Sequence, residues 1–570
     1  VWNTHFPVNI KAKGQKELPL GAFTFTHPAG YGMLYTLTGK QRYADLSQQA
    51  LERMFDDDLY SIPAIEIRDA RGAKDFQTKR GPRFEGERVE DVVITYGQPD
   101  RDERYTWTTP GARLRVGPMM VAVALAYDLC YDAWSPEFRQ RVMREVLEYN
   151  HLPVDYDRFS EGKKGRLTFG ALVEPSYKPE SNHYPAYIGG AGIALLAFRN
   201  DPGAPDRQID EWLEKIEENI GTVLTRSFGE KGFFAEGHGP SQMAANTGFV
   251  PLLQAARVSW GKDFISPRPN GPWLSLRWAM EIIPGADKPY YPNFHHSSYG
   301  KDFLANDSFS HAGVFSQGFG AVSDQAQQAA LLWTYLNAVE QERPLEIYDA
   351  WYYPLRAVYS LINWPIGLEP KNPGEVLGHV NADKVAGHYM FRKSWEDADD
   401  IYFTFLLNPK NRRGHVRGPD GGNFCFFGFG IRAGWSKQDF HDPRENYFQA
   451  YPDGSGVVSF ENKGTQTSIA VDYSERSGAE GVVLMANPWF TAAERTEEVW
   501  RKFEPVSRKH GSLSFADVQT GNTPWFIMMM HKGSGDQAPD VMVEGNQVRI
   551  GQQRYQLVDG NILMESYLSP

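Results

Sequence analysis

The hydrophobic pattern of this chain changes period once, and the change calls for helices before it and sheets after it. From about residue 21 to residue 363, apolar residues recur at helical spacing between Gly and Pro breaks. Beyond about residue 373 they come as short β-branched or aromatic runs parted by Gly, Asn and Asp clusters. Leu34, Leu37 and residues 43–54 flank a Thr38-Gly39-Lys40 turn and predict a helical hairpin. Residues 118–130 lead through Trp134 to Ser135-Pro136-Glu137, where Ser is the expected N-cap and Pro the first helical residue. Ile209, Trp212, Leu213, Ile216, Ile220, Val223 and Leu224 make one buried stripe on an otherwise charged helix. Further helices are predicted over 251–260, 273–283 and 324–339. Antiparallel helix pairs joined by short turns close into rings that bury their inner helices, so the expectation is an incomplete (α/α) toroid. The runs 401–405, 424–427, 468–471, 482–485 and 525–528 predict an antiparallel β-sandwich after it. A chain of 570 residues exceeds one core, and the Pro/Gly/Asn-rich stretch 367–374 is the expected break between an α+β pair of domains, 1–370 and 371–570.

Composition narrows the partners. A net charge of −12 disfavours nucleic acid, whose binding needs a basic surface, but leaves room for a local cationic pocket and an anionic ligand. No apolar run reaches membrane-spanning length, so no membrane span is expected. Cys130 and Cys425, each inside an apolar run, predict buried free thiols rather than a disulfide framework. The chain opens at Val1 without a leader-like segment, and the expectation is an exported mature form, secreted or periplasmic after signal-peptide removal.

Four polar clusters could carry chemistry. Asn182, His183 and Tyr184 are expected just ahead of a helix over 186–198, where free N–H groups and the positive helix end favour an anion. The plainer reading makes Asn182 an N-cap with incidental neighbours. Glu236-Gly237-His238-Gly239 precedes another helix start, with glycines that let the backbone approach a ligand closely. Lys410, Arg412, Arg413, His415, Arg417 and Asp420 share a broken loop, and the Arg side chains offer planar forks to a carboxylate or sulfate. His295-His296-Ser297-Ser298-Tyr299 is the fourth, on a polar loop. Glu236, Arg413, Arg417 and Tyr187 are the substrate-binding candidates. No cofactor is required by this chemistry; a structural divalent metal, zinc or calcium, would draw on His415, Asp420 and His441.

The order of Asn182-His183, then Gly189-Gly190-Ala191-Gly192, Gly232-Phe233-Phe234-Ala235-Glu236-Gly237, and His415 followed by Asp420-Gly421-Gly422-Asn423-Phe424, resembles the heparinase II/III-like and alginate lyase-like polysaccharide lyases. The resemblance runs in the same order over most of the chain. It implies a toroid followed by a β-sandwich with the substrate cleft between them, and β-elimination at a uronic acid. It further implies that Asn182 and His183 neutralise the uronate carboxylate and that His415 contributes from the β domain. Pro240 stands about where the family places a proton-transfer Tyr, which leaves His238, Tyr184 or Tyr299 to substitute. The family's His-x-His-x-Asp pattern is interrupted here by Arg417 and two extra residues.

The physical logic runs parallel to the resemblance. Removing a proton α to a carboxylate builds a dianion, and each preorganised donor facing it is worth about 3 to 4 kcal/mol. Asn182, an imidazolium and Arg are suitable donors; a base needs a pKa near the working pH, which favours His or an acidified Tyr. Two rivals use the same residues: a glycoside hydrolase with Glu236 and Asp420 as its carboxylate pair, and a non-catalytic glycan-binding protein that stacks Trp and Tyr on sugar faces.

Overall fold

The computed structural model describes residues 9–12, 27–56, 65–68, 84–85, 93–94, 107, 116–151, 167–237, 248–282, 291–292, 304–305, 318–340, 353–395, 399–407, 421–435, 440, 443–490, 511–533 and 538–567. Helices dominate the first part, alongside short antiparallel strand pairings, and antiparallel sheets make up the second, an α+β arrangement. None of the described helices is long and apolar enough to cross a membrane. Cys130 and Cys425 are both buried, and neither is in a disulfide.

The helices divide into two kinds. In the first, α1 (His27–Thr38), α3 (Val116–Leu129) and α6 (His183–Phe198), burial runs round most or all of the helix. In the second, α2 (Gln41–Phe55), α4 (Pro136–Leu147) and α7 (Asp206–Arg226), one stripe is buried and the rest is charged. A helix apolar all round belongs inside and an amphipathic one belongs outside. Ser135 caps α4 through Phe138 N–H at 3.2 Å, with Pro136 at its first position, as its sequence predicts. The stripe predicted for α7 is buried at Ile209, Leu213, Ile216, Ile220, Val223 and Leu224, with Trp212 partly buried against the same core.

Backbone touches backbone where α6 crosses its neighbours. A methyl group at Gly190 would lie 2.4 Å from the carbonyl oxygen of Gly117 on α3, and one at Gly189 would lie 2.5 Å from the carbonyl carbon of Gly248. The Gly/Ala run of α6 therefore lets three backbones meet around one axis.

Three stacked sheets follow the helices, one more than the two-layer sandwich expected. The first has five strands, Val380–Asp383, His388–Arg392, Tyr402–Leu406, Asn423–Gly428 and Ile431–Trp435, paired in chain order. The second has six, and its central strands Gly456–Asn462, Thr465–Asp472, Gly481–Ala486 and Thr523–Lys532 are largely buried. Aromatic side chains of the first sheet, Phe391, Phe403, Phe405 and Phe424 among them, pack on Val458, Ile469, Val483 and Met528 of the second. Alternate residues of the second sheet, Val457, Ala470, Leu484 and Ile527, face a third sheet of four short strands between residues 541 and 564. Both faces of the second sheet are thus covered, which is why its strands read as continuous apolar runs.

In the segment 367–374, expected as the break between the two domains, Gly367, Glu369, Pro370 and Lys371 are exposed and Pro373 is buried. The segment ends in the short helix Pro373–Leu377, capped by Asn372 through Gly374 N–H at 2.8 Å, and Lys371 N–H donates to Ala329 C=O at 3.1 Å. The outer face of the first sheet, through Met390, Tyr402, Cys425 and Phe427, packs on Met280 of helix Trp273–Glu281 and so joins the helical and strand-rich parts.

Candidate functional site

Helix α6 begins at His183, so His183 and Tyr184 occupy its first turn rather than the approach to it. Asn182 sits at the N-cap position with helical backbone angles, φ −59° and ψ −22°, and its side chain accepts no capping hydrogen bond. A capping Asn adopts extended angles that aim its oxygen at the next turn. Here that task falls to another element. Glu236 Oε2 accepts the Asn182 N–H at 2.9 Å, placing a buried carboxylate at the positive end of α6. Among the described residues, Asn182 Oδ1 is buried and has no hydrogen-bond partner.

Glu236 reaches this point from a β-hairpin over 227–237. Its limbs pair through Ala235 N–H to Ser227 C=O and Gly229 N–H to Phe233 C=O, each 2.9 Å. Gly232 turns its tip with φ +76°, and a side chain there would also strike the carbonyl of Trp273 at 2.3 Å. The same hairpin base holds the approach to α6: Ser227 Oγ donates to Pro179 C=O, and Arg226 grips Glu180 Oε1 through Nε at 2.9 Å and Nη2 at 2.8 Å. The Asn-His and Glu-Gly motifs, 54 positions apart, meet through these bonds.

His183 lies between two tyrosines. Tyr177 stacks on its ring with centroids 4.4 Å apart and planes 15° from parallel, and Tyr187 meets it edge-on at 5.9 Å. Tyr187, chosen from the sequence as a substrate-binding candidate, thus walls the imidazole from one turn further along α6. Tyr177 escaped the sequence reading because a lone tyrosine in a Pro-flanked loop carries no periodic signal.

The Tyr184 hydroxyl is turned elsewhere. It donates to Asn219 Oδ1 on α7 at 2.6 Å, and Asn219 Nδ2 donates in turn to Val173 C=O at 2.8 Å at the end of helix α5 (Phe169–Val173). Burial pushes the Tyr184 phenol up from its ordinary pKa, with Arg226 pulling it down and Glu174 adding to the rise. A base needs the opposite shift. In this geometry Tyr184 ties three helices together and is poorly suited to accept a proton.

His238, Tyr299, Arg413, His415, Arg417, Asp420 and His441 lie outside the described residues, as do Lys410, Arg412, His295 and His296. Among the described residues no three His, Cys, Asp or Glu side chains gather as a metal site.

No family model matches the chain, and no curated protein matches it. Among solved structures it is similar to a heparinase III gene product, at TM-score 0.42 and 10% identity over 94% of this chain and 83% of that one. It is also similar to a GH127 β-L-arabinofuranosidase from Geobacillus stearothermophilus T6, at TM-score 0.24 and 11% identity over 92% of this chain and 97% of that one.

Proposed function

We propose that this chain is a polysaccharide lyase that cleaves a uronic-acid-containing anionic polysaccharide by β-elimination, on an incomplete (α/α) toroid of residues 1–370 followed by β-sheets of residues 371–570. The observation that carries the reading is the Asn182–Glu236 bond. It brings two sequence motifs together and takes over the capping work of Asn182, whose buried side-chain oxygen has no hydrogen-bond partner among the described residues. Helices buried on all sides inside amphipathic ones support the toroid, because a ring of hairpins needs that division.

In the proposed reaction the uronate carboxylate binds at the first turn of α6, against the Asn182 amide and the His183 imidazole. As the C5 proton leaves, charge moves onto the carboxylate and these donors hold it. Tyr177 and Tyr187 keep the imidazole in one plane. His238, two residues beyond Glu236, is the first candidate to take the C5 proton; Tyr299 and His415 are the others. The C4–O bond then breaks, its oxygen receives a proton, and the electron pair left at C5 becomes the C4–C5 double bond. Arg413 and Arg417 are suited to the anionic groups of neighbouring sugars.

The rival hydrolase reading requires Glu236 as one of two working carboxylates. Its position on the Asn182 N–H, at the head of α6, fits a positioning group better than an acid that must cycle its proton. The test is a panel of alginate, glucuronan, ulvan, hyaluronan, chondroitin and heparan-type polymers read by ultraviolet absorbance. Lyase action raises the absorbance as conjugated double bonds form. New reducing ends without that rise would select the hydrolase, and binding without any new ends would select a glycan-binding protein.

A further inference from the structure

The hairpin 227–237 that carries Glu236 is fixed at its tip by a residue of the first sheet. Asp383, fully buried at the end of strand Val380–Asp383, accepts four backbone N–H groups. Glu230 and Ala386 donate to Oδ1 at 3.1 and 2.9 Å, and Lys231 and Phe233 donate to Oδ2 at 2.9 and 3.1 Å. The grip is reciprocal, since Glu230 Oε1 accepts the Lys384 N–H at 2.9 Å. Gly229 is required beside it, because a methyl group there would sit 2.0 Å from Asp383 Oδ1. Three of the four donors belong to the hairpin, and only Ala386 closes the local turn after Asp383; each is a charge-assisted bond.

The hairpin therefore has its tip on the first sheet and its base on the segment 179–182, through Ser227, Arg226 and Glu236. Its two limbs are bonded to each other, so a displacement of the tip is carried to the base. We infer that Asp383 is a positioning residue for Asn182: the strand-rich part sets the placement of the candidate carboxylate-binding amide through the hairpin 227–237. Asp383 need not touch substrate to do this. The inference deepens the lyase reading by naming what aligns its amide with groups contributed from the sheets.

Amide hydrogen exchange of the full chain tests it without substrate. Asp383→Asn keeps the side chain's size but turns an NH2 group toward two N–H donors, breaking the grip. If the hairpin transmits position, exchange should rise about tenfold in residues 228–233 and also in 179–184, the rate equivalent of losing one charge-assisted bond. Helix α4 should be unchanged. A rise confined to 228–233 would overturn the inference and leave Asp383 as a local clasp. Glu230→Ala, at an exposed position, removes only the return bond to Lys384 and should give a smaller rise in the same two segments; it serves if Asp383→Asn does not fold. On a polymer that the wild type degrades, Asp383→Asn should lower kcat about tenfold with little change in KM. If no polymer is degraded, the lyase reading fails while the exchange result still decides the linkage.

Discussion

An asparagine one position ahead of a helix ordinarily holds the first turn, and its replacement by alanine costs about 1 kcal/mol. At position 182 the carboxylate of Glu236 does that work, and the asparagine oxygen is buried without a partner among the described residues. Asn182→Ala should therefore leave stability unchanged to within about 0.5 kcal/mol in urea titrations. Glu236→Ala, which strips the Asn182 N–H of its partner, should cost about 1 to 2 kcal/mol. If Asn182 serves as the proposed donor, Asn182→Ala should also lower kcat by about a hundredfold or more on a susceptible polymer. A stability loss at 182 with unaltered turnover would return Asn182 to the role of a cap. Tyr184→Phe separates the same two functions. It leaves Asn219 Oδ1 without its donor and should cost about 1 kcal/mol, yet preserve activity. The Asn-His and Glu-Gly motifs were legible because polar residues clustered beside glycines in an otherwise apolar stretch. Their meeting was not, since a hydrogen bond across 54 positions has no period.

At the scale of elements, inner and outer helices should answer the same substitution in opposite ways. Gly190→Ala places a methyl group 2.4 Å from the Gly117 carbonyl oxygen and 2.8 Å from its Cα, so α3 and α6 must separate. Overpacking of this kind costs about 3 kcal/mol. Gly221 lies on the outer helix α7, where an added methyl group meets only the Arg268 guanidinium at 3.5 Å, an ordinary contact. Gly221→Ala should stabilise by about 0.5 to 1 kcal/mol through helix propensity and a less disordered unfolded chain. Urea midpoints that moved in the same direction for both would refute the assignment of α6 to the inside. The stripe of α7 is legible from its spacing, and the start of α4 from the Ser135 cap and Pro136. The expected helix over 186–198 starts three residues later than α6 does, because Pro185 reads as the residue before a helix, although proline is tolerated within the first turn. The third sheet was missed for a different reason. Its strands are four to six residues long and none is buried throughout, so they lack the continuous apolar runs that marked the doubly covered second sheet.

Across the whole molecule, the helical and strand-rich parts are joined by buried charges as well as by apolar packing. Arg392, buried in the first sheet, donates through Nη1 to Met280 C=O at 2.5 Å and through Nη2 to Ile282 C=O at 2.7 Å, closing the end of helix Trp273–Glu281. Its Nε pairs with Asp400, whose carboxyl also accepts Ser394 N–H at 3.0 Å. Partners 112 and 110 positions away leave no trace in local patterning, and an Arg amid strand residues reads as surface charge. Burial pushes the Asp400 carboxyl up, and the Arg392 guanidinium opposes that rise. Arg392→Met removes the opposition and should cost about 3 to 5 kcal/mol at neutral pH, because a buried carboxylate is left uncompensated. A carboxyl whose folded pKa lies above its unfolded one loses stability as pH rises through the interval between them. The deficit of Arg392→Met relative to wild type should therefore shrink as the buffer is made more acidic, when Asp400 takes up its proton. Adding Asp400→Leu should recover much of the loss and abolish its pH dependence, since a buried ion pair replaced by apolar groups is often close to neutral. If instead the single and double variants lose the same stability at every pH, the capping of Met280 and Ile282, rather than the ion pair, is what holds the helices to the sheet.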